Sequence, residues 1–508
     1  VNKGCLALFQ RAKYIFMSKS AIVIGAGFSG LSVSASLAQK GYSVTVLEKH
    51  NLPGGRARKM QGGAYTFDMG PSWYWMPDVF EQYFAAFGKK PSDYYSLKKL
   101  DPSYFIYWGK NEYTPIPSGV DALVALFEQY DPGSGSRLRQ FLNEAEYKYD
   151  VGINKLVYKP GRSWLEFADL ELVKGVFKLD VFKSISKHVR KVTSNDKLIR
   201  LMEFPVLFLG ALPSNTPALY SLMNYADMAL GTWFPEGGMY EIAKAMHALA
   251  EEQGVKFRFS ADVTSFEFEG TRISGVRVGG ELLKADVIVS SADYHFTETR
   301  LLPKALQSYS SKYWETRVMA PSSLIYYVGL NKQLDHLAHH NLFFDESLDV
   351  HAEEIYTRPQ WPSKPLFYVS LTTKTDPSGA PPGHENMFIL IPVAAGLEDT
   401  DEVRKKYFDM VIDRMESHTG QTIRQHIDFY KAFGYRDFVS EYNSFRGNAY
   451  GLANTLKQTA ILKPSCKSKK VDNLYYTGQL TVPGPGVPPA LISGRVVASE
   501  IAKDFQLS

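Results

Sequence analysis

The chain is predicted to be an α/β protein whose central parallel sheet draws strands from both ends of the sequence. Three observations lead there. The stretch Ala21 to Glu48 reads as strand, glycine-rich turn, helix, strand and acid. Asn473 to Ala502 reads as strand, Pro/Gly loop and helix. Between them, Trp233 to Asp293 sets a helix-period stretch among short β-rich runs. With 508 residues, 45% of them hydrophobic, the chain can bury a large core spread over two or three domains.

In the first unit, Ala21 to Ile24 is an apolar run suited to a buried parallel strand. Gly25, Gly27 and Gly30 follow in G-x-G-x-x-G spacing, Leu31 to Gln39 has helical periodicity, and Ser43 to Leu47 is β-rich and ends on Glu48. Gly25 turns the chain out of the strand, Gly27 lets the backbone approach a pyrophosphate, and Gly30 lets the helix pack on the strand. The helix N-terminus, at Phe28 and Ser29, offers free N–H groups and a positive dipole end to phosphates. Glu48 can accept hydrogen bonds from ribose hydroxyls, and its charge disfavours the 2′-phosphate of NADP. Glycine turns alone are common, but the full ordered set favours a Rossmann-like dinucleotide site over a mere tight βαβ turn.

The next segments bear on which dinucleotide binds. Lys49 leads into Gly54-Gly55-Arg56, and Phe67-Asp68-Met69-Gly70-Pro71-Ser72 follows. A second glycine pair beside an arginine can wrap a longer cofactor, with Arg56 presenting a planar fork of donors. Taken alone, an ordinary turn with a surface arginine is an equal reading. At the other end, Asn473 to Gly478 reads as a strand, Gln479 to Pro488 as a rigid Pro/Gly loop, and Leu491 to Ala502 as a helix whose N-terminus can face the O2 side of an isoalloxazine ring. That second strand–loop–helix unit favours FAD.

These motifs resemble the bacterial-type phytoene desaturase family of carotenoid desaturases, within the FAD-dependent amine-oxidase-like flavoproteins. The resemblance runs from about Ala21 to Ala502. Its more specific marks are Trp233-Phe234-Pro235-Glu236-Gly237-Gly238-Met239 and Pro483-Gly484-Pro485-Gly486-Val487-Pro488, where Pro485 replaces the alanine of many relatives. Phe204 to Gly210 and Pro359 to Pro362 also look like this family. The resemblance implies a discontinuous Rossmann-like FAD-binding domain, a mixed-sheet substrate domain and a helical subdomain able to touch a membrane. Residues 17–90, 233–295 and 441–508 are assigned to the first, and 91–232 and 296–440 to the substrate-binding part. It implies cofactor contacts at Gly25, Gly27, Phe28, Ser29, Gly30, Glu48, Lys49, Gly55 and Arg56. Further contacts are implied at Gly70, Pro71, Ser72, Val263, Gly478, Pro483, Gly486, Val487 and Pro488. Relatives with covalent flavin use a cysteine in the closing loop; positions 478–482 hold none, so the FAD is expected to be non-covalent.

Composition narrows the rest. A net charge of +4 is compatible with an anionic membrane surface and carries no nucleic-acid signature. Two cysteines, Cys5 and Cys466, exclude a disulfide framework and a cysteine metal cluster and fit a reducing cytosol. No apolar run approaches the roughly 18–20 residues that span a bilayer. Met17 is read as the start of translation, with residues 1–16 a non-native or disordered extension. The expected location is therefore cytoplasmic, peripheral on the inner face of the cell membrane.

Aromatics make up 14% of the chain, with clusters at Trp73-Tyr74-Trp75 and Tyr326-Tyr327; core packing accounts for most, a greasy substrate for some. Val181, Phe182, Ile185, Val189 and Val192 fall on one face of a basic helix expected over Val173 to Val192, which either lies in a membrane interface or packs on the core. His336, His339 and His340 read as a surface or loop group rather than a zinc site, because no helical H-E-x-x-H frame holds them. Asp150 and Asp227 are isolated acid–base candidates, and no catalytic residue is assigned. The resemblance implies desaturation of a membrane-delivered polyene, with electrons passed to a quinone or oxygen. Phytoene desaturase is the first expectation, ahead of a hydroxycarotenoid 3,4-desaturase or a carotenoid isomerase. The non-enzyme alternative is a lipid-binding escort of the Rab GDP-dissociation-inhibitor type; it is disfavoured because the glycines, Glu48 and Arg56 all stand.

Overall fold

The computed structural model describes residues 19–163, 166, 183–207, 212–455 and 458–505. The extension 1–16 and Met17 lie outside the described residues, as do 208–210 of the expected family segment.

A five-stranded parallel sheet collects β1 (Ser20–Ile24), β2 (Ser43–Leu47), β3 (Lys256–Arg258), β4 (Val287–Ser290) and β5 (Leu474–Tyr476) in the order β5-β4-β1-β2-β3. All four pairings are parallel. The apolar strands are buried on both faces, which is why they read as continuous hydrophobic runs. Three helices accompany the sheet: α1 (Phe28–Gln39), α2 (Tyr240–Glu252) and α3 (Val487–Asp504). The two ends of the sequence meet closely. A Cβ on Gly494 of α3 would lie 2.6 Å from Ser29 O and 2.7 Å from Val33 N, so only glycine lets α3 rest against α1. Ser32 Oγ reinforces the contact by donating to Leu491 O at 2.7 Å.

A second, seven-stranded sheet is mixed. Its order is Ile427–Phe433, Ser322–Leu330, Glu385–Val393, Phe367–Ser370, His340–Phe343, Tyr104–Gly109, Glu112–Ile116. Among the described residues, the one parallel pair in it joins His340–Phe343 to Tyr104–Gly109. Alternation divides its faces. Phe343, Val369, Ile389 and Ile391 pack with Tyr407, Val411 and Met415 of the helix Asp401–Thr419. Leu342, Tyr368, Phe388 and Leu390 point the other way, into the core shared with the parallel sheet. The Tyr327 hydroxyl crosses between the layers and donates to Met69 O at 2.6 Å.

The basic helix expected over Val173 to Val192 is corrected where it can be seen; residues 173–182 lie outside the described residues. Ser184 is extended (φ −80°, ψ 150°), and its hydroxyl accepts Lys187 N–H to cap a new short helix, Ile185–Val189. Ile185, Val189 and Val192 are buried, so this part of the apolar face packs inward. Among the described residues, no helix is long and apolar enough to cross a membrane.

Candidate functional site

A cavity of about 770 Å³ opens along the carboxyl edge of the parallel sheet. Gly25, Glu48, Ser291 and Thr477, residues that follow strand ends, line it. Strand ends are where an α/β sheet leaves loops and helix N-termini free to meet a ligand.

Gly25 sits at φ +97° and donates to Leu47 O at 2.8 Å, joining the first turn to the second strand. Glu48 is 4% exposed; its carboxylate accepts Ala26 N–H at 2.7 Å and His50 N–H at 2.9 Å. Those bonds hold the acid and the turn in mutual register. Within α1 the first amide to bond back is Leu31 N, to Gly27 O at 2.9 Å; Phe28, Ser29 and Gly30 are ahead of the first intrahelical bond. The second glycine turn approaches the first: Gly54 N–H donates to Ala26 O at 2.8 Å, and a Cβ on Gly55 would lie 3.2 Å from Gly27 Cα. Gly30 is a correction. It is not part of the cavity wall; its missing Cβ would sit 2.0 Å from Gly25 O, so it serves helix–strand packing instead of ligand contact.

Arg56 lies on the wall, with its chain between the glycine turn and the segment 442–448. Its Nη2 donates to Ser444 Oγ at 2.5 Å and Asn448 O at 3.3 Å, and the guanidinium lies 5.1 Å from the Tyr442 ring centre. Its Nε is buried without a hydrogen-bond partner. Burial pushes the guanidinium below its ordinary value, against Asp293 and Tyr442, which raise it. Arg58 ties the turn down, donating to Gly55 O at 3.2 Å and to Glu441 at 2.8 Å. Asp68 caps α2: its two oxygens accept the amides of Met239 and Tyr240 at 2.8 and 3.0 Å. A Cβ on Gly238 would meet that carboxylate at 2.9 Å, which gives the second glycine of Gly237-Gly238 its reason. Burial nevertheless raises Asp68 to about 6.

The closing loop completes the wall. A Cβ on Gly478 would stand 3.2 Å from Ser29 Oγ, and Pro483, Gly486, Val487 and Pro488 line the cavity. Helix α3 begins at Val487 with prolines at 488 and 489. Prolines are tolerated there because first-turn amides are unbonded anyway, but they carry no N–H. Ala490 N is already bonded to Gly486 O at 2.9 Å, so the donors expected of this helix end reduce to Val487 N–H. Val263, Lys49, Gly70, Pro71 and Ser72 also line the cavity. Of the sequence-predicted cofactor contacts, Gly30 alone stands off the wall.

Beyond the glycine turns the wall becomes apolar. Trp73, Trp75, Leu342, Phe344 and Leu390 contribute, with Leu348, Ala352 and Ile355 from the helix Leu348–Tyr356. Sequence reasoning missed that helix, although Ser347 is a good N-cap and accepts Val350 N–H. It also missed Arg58, Asp293 and Tyr368. Asp150 is exposed and bonded to Asn154, and Asp227 is buried against Tyr104 at 2.8 Å; neither lines the cavity. The surface reading of the histidines fails for two of them. His339 and His340 are buried; His339, though buried, and His336, at φ +59°, stay in loops, and His340 begins a strand. Among the described residues, no three His, Cys, Asp or Glu side chains gather to hold a metal ion.

Two facing glycine turns that a Cβ would fill, a half-buried arginine whose buried Nε is unpaired, and a carboxylate at the second strand end fit a pyrophosphate-containing dinucleotide. The comparisons point to a flavin-containing family. Residues 28–502 match the family of flavin-containing amine oxidoreductases. The chain is 38% identical over 484 residues to a carotenoid 3,4-desaturase of Haloarcula japonica, covering 95% of this chain and 98% of that protein. It is 31% identical to a ζ-carotene-forming phytoene desaturase of Myxococcus xanthus, covering 94% and 93%. Among solved structures it is similar to an oxidoreductase from Methanosarcina mazei, with a TM-score of 0.59 at 16% identity, covering 95% of this chain and 99% of that one; that likeness speaks to the fold.

Proposed function

This chain belongs to the flavin-containing amine oxidoreductases and, within them, to the carotenoid desaturases, and on that premise we propose that it is an FAD-dependent carotenoid 3,4-desaturase. The observation that carries the reading is the cavity itself, one space walled at one end by the glycine turns and at the other by aromatic and aliphatic side chains. Such a space suits a polar cofactor beside an oily polyene. The sequence alone favours phytoene as substrate; the greater similarity to a 3,4-desaturase reverses that order. Phytoene desaturation is the second reading, supported by the Myxococcus relative.

In this reading Gly25, Gly27, Phe28, Ser29, Gly55 and Arg56 hold the pyrophosphate, and Glu48 and Lys49 the ribose end, with Val263 beside the adenine. Gly70, Pro71 and Ser72, with Gly478, Pro483, Gly486, Val487 and Pro488, flank the ring system. Binding is non-covalent, because Cys466 is buried off the cavity wall. The division into a cofactor unit (17–90, 233–295, 441–508) and a substrate unit (91–232, 296–440) is supported by strand origin: the first supplies all five parallel strands, the second all seven mixed ones. A bound flavin supplies a two-electron sink for a C–H bond next to a polyene. The chain aims the polyene along the Trp73, Leu342 and Leu390 wall and keeps water out. Electrons then pass to a quinone or oxygen.

The test is anaerobic mixing of FAD-reconstituted protein with a hydroxylated carotenoid or with phytoene, followed by flavin bleaching and product absorbance. Bleaching with the hydroxylated carotenoid and a longer chromophore is expected. Bleaching by phytoene alone transfers the assignment to the second reading, and bleaching by neither rejects both.

A further inference from the structure

A buried polar chain leaves the cavity at Tyr368. Tyr368 lines the cavity, and its hydroxyl lies 2.6 Å from His340 Nδ1. Strand geometry makes the contact. His340 pairs with Ser370 and Leu342 with Tyr368, so His340, Leu342, Tyr368 and Ser370 share the cavity-side face. Trp73, itself on the cavity wall, stacks on the His340 ring at 4.1 Å and 14°, shielding it from water. The His339 ring stands edge-on to His340 with centroids 4.4 Å apart. His339 Nδ1 is 2.7 Å from Thr375 Oγ1, on a half-buried residue of the loop after Phe367–Ser370.

As packing, this arrangement is poor. Nε2 of both histidines is buried without a partner, and an unpaired buried nitrogen costs stability. Leucine or phenylalanine would fill the same space at no such cost. As a proton-transfer pair, Tyr368 and His340 are well placed, hydroxyl to Nδ1 at 2.6 Å. With hydrogen on Nε2 of His340, the phenol donates to Nδ1. Desolvation drives His339 down to about 3 and His340 well below its ordinary value, so each ring is neutral before the step.

Resting on the desaturase reading, we propose that Tyr368 takes the proton lost by the substrate while passing its own to His340 Nδ1. The balance is complete. Conversion of CH2–CH2 to CH=CH breaks two C–H bonds. One hydrogen leaves with its electron pair to the flavin; the other leaves as a proton to the Tyr368 oxygen, and its electron pair becomes the new π bond. Tyr368 is then a catalytic residue, and His340 receives the proton that Tyr368 gives up.

The experiment uses FAD-reconstituted full chain and the carotenoid that the wild type converts, in anaerobic single turnover. Tyr368→Phe is expected to slow product formation about 100-fold or more, with FAD affinity within about threefold of wild type. His340→Gln should slow it similarly, and D2O should slow the wild type about twofold or more. Should Tyr368→Phe fail to fold, the wild-type isotope effect decides, and its absence overturns the proton transfer. An active wild type with Tyr368→Phe within about threefold in rate overturns the proton transfer alone. A wild type inert toward carotenoids overturns the desaturase reading and the proton transfer with it.

Discussion

Glu48→Gln tests whether the acid at the second strand end meets a ligand or only holds the turn. The carboxylate is 4% exposed and accepts two backbone amides, Ala26 N–H at 2.7 Å and His50 N–H at 2.9 Å. Glutamine has one carbonyl oxygen, so its NH2 group must face one of those donors. One charge-assisted bond, about 1.5–3 kcal/mol, is lost and a buried amide is stranded. That loss falls on the protein with or without cofactor, and hydrogen exchange at the Ala26 amide reads it directly. If the carboxylate also accepts a ribose hydroxyl, a second bond of the same kind disappears only in the complex. FAD should then bind roughly 10- to 150-fold more weakly. Fluorescence titration of FAD into apoprotein measures it. Faster exchange at Ala26 with FAD affinity within about threefold of wild type would refute the ribose role and leave Glu48 as a turn holder.

Three further outcomes are expected. Gly494→Ala puts a Cβ 2.6 Å from Ser29 O, forces α3 off α1, and should destabilise by about 1–3 kcal/mol while releasing FAD; an unchanged melting curve refutes the close contact. Asp227 is raised to about 7, chiefly by burial. The folded state therefore keeps a proton that the unfolded chain gives up near pH 4, and stability falls as pH rises from about 4 to about 7, by about 1.4 kcal/mol per pH unit. Asp227→Asn, which still offers Tyr104 an acceptor, should flatten that slope in denaturant titrations at pH 5 and 8. Lys463 Nζ is buried without a hydrogen-bond partner, and burial lowers it to about 7. Here the unfolded chain holds the extra proton, so stability rises with pH from about 7 to about 10. Lys463→Met should raise the apoprotein melting temperature at pH 7 and remove its rise between pH 7 and 9; a lower melting temperature at pH 7 would count against it.

The features carried by chain neighbours were legible before any fold was known. Gly25, Gly27, Gly30 and Glu48 fall within one strand–helix–strand unit, where spacing and turn chemistry suffice. β2 runs Ser43–Leu47 as expected, and α2 falls within Trp233 to Asp293, where a helix was expected. The prolines at 488 and 489 were equally visible, yet their removal of helix-end donors went unread. Three things were decided by the tertiary structure. Arg56 acquires Ser444 and Asn448 from almost four hundred residues away. His340 moves from an expected surface or loop group to a buried neighbour of Tyr368, because strand register, which no local pattern encodes, set it beside that tyrosine. Ser184 ends one expected helix and starts a shorter one because the alternative buries Ile185 and Val189. Backbone preference acts between near neighbours and so is written locally, whereas burial and charge pairing are settled only when distant segments share one space.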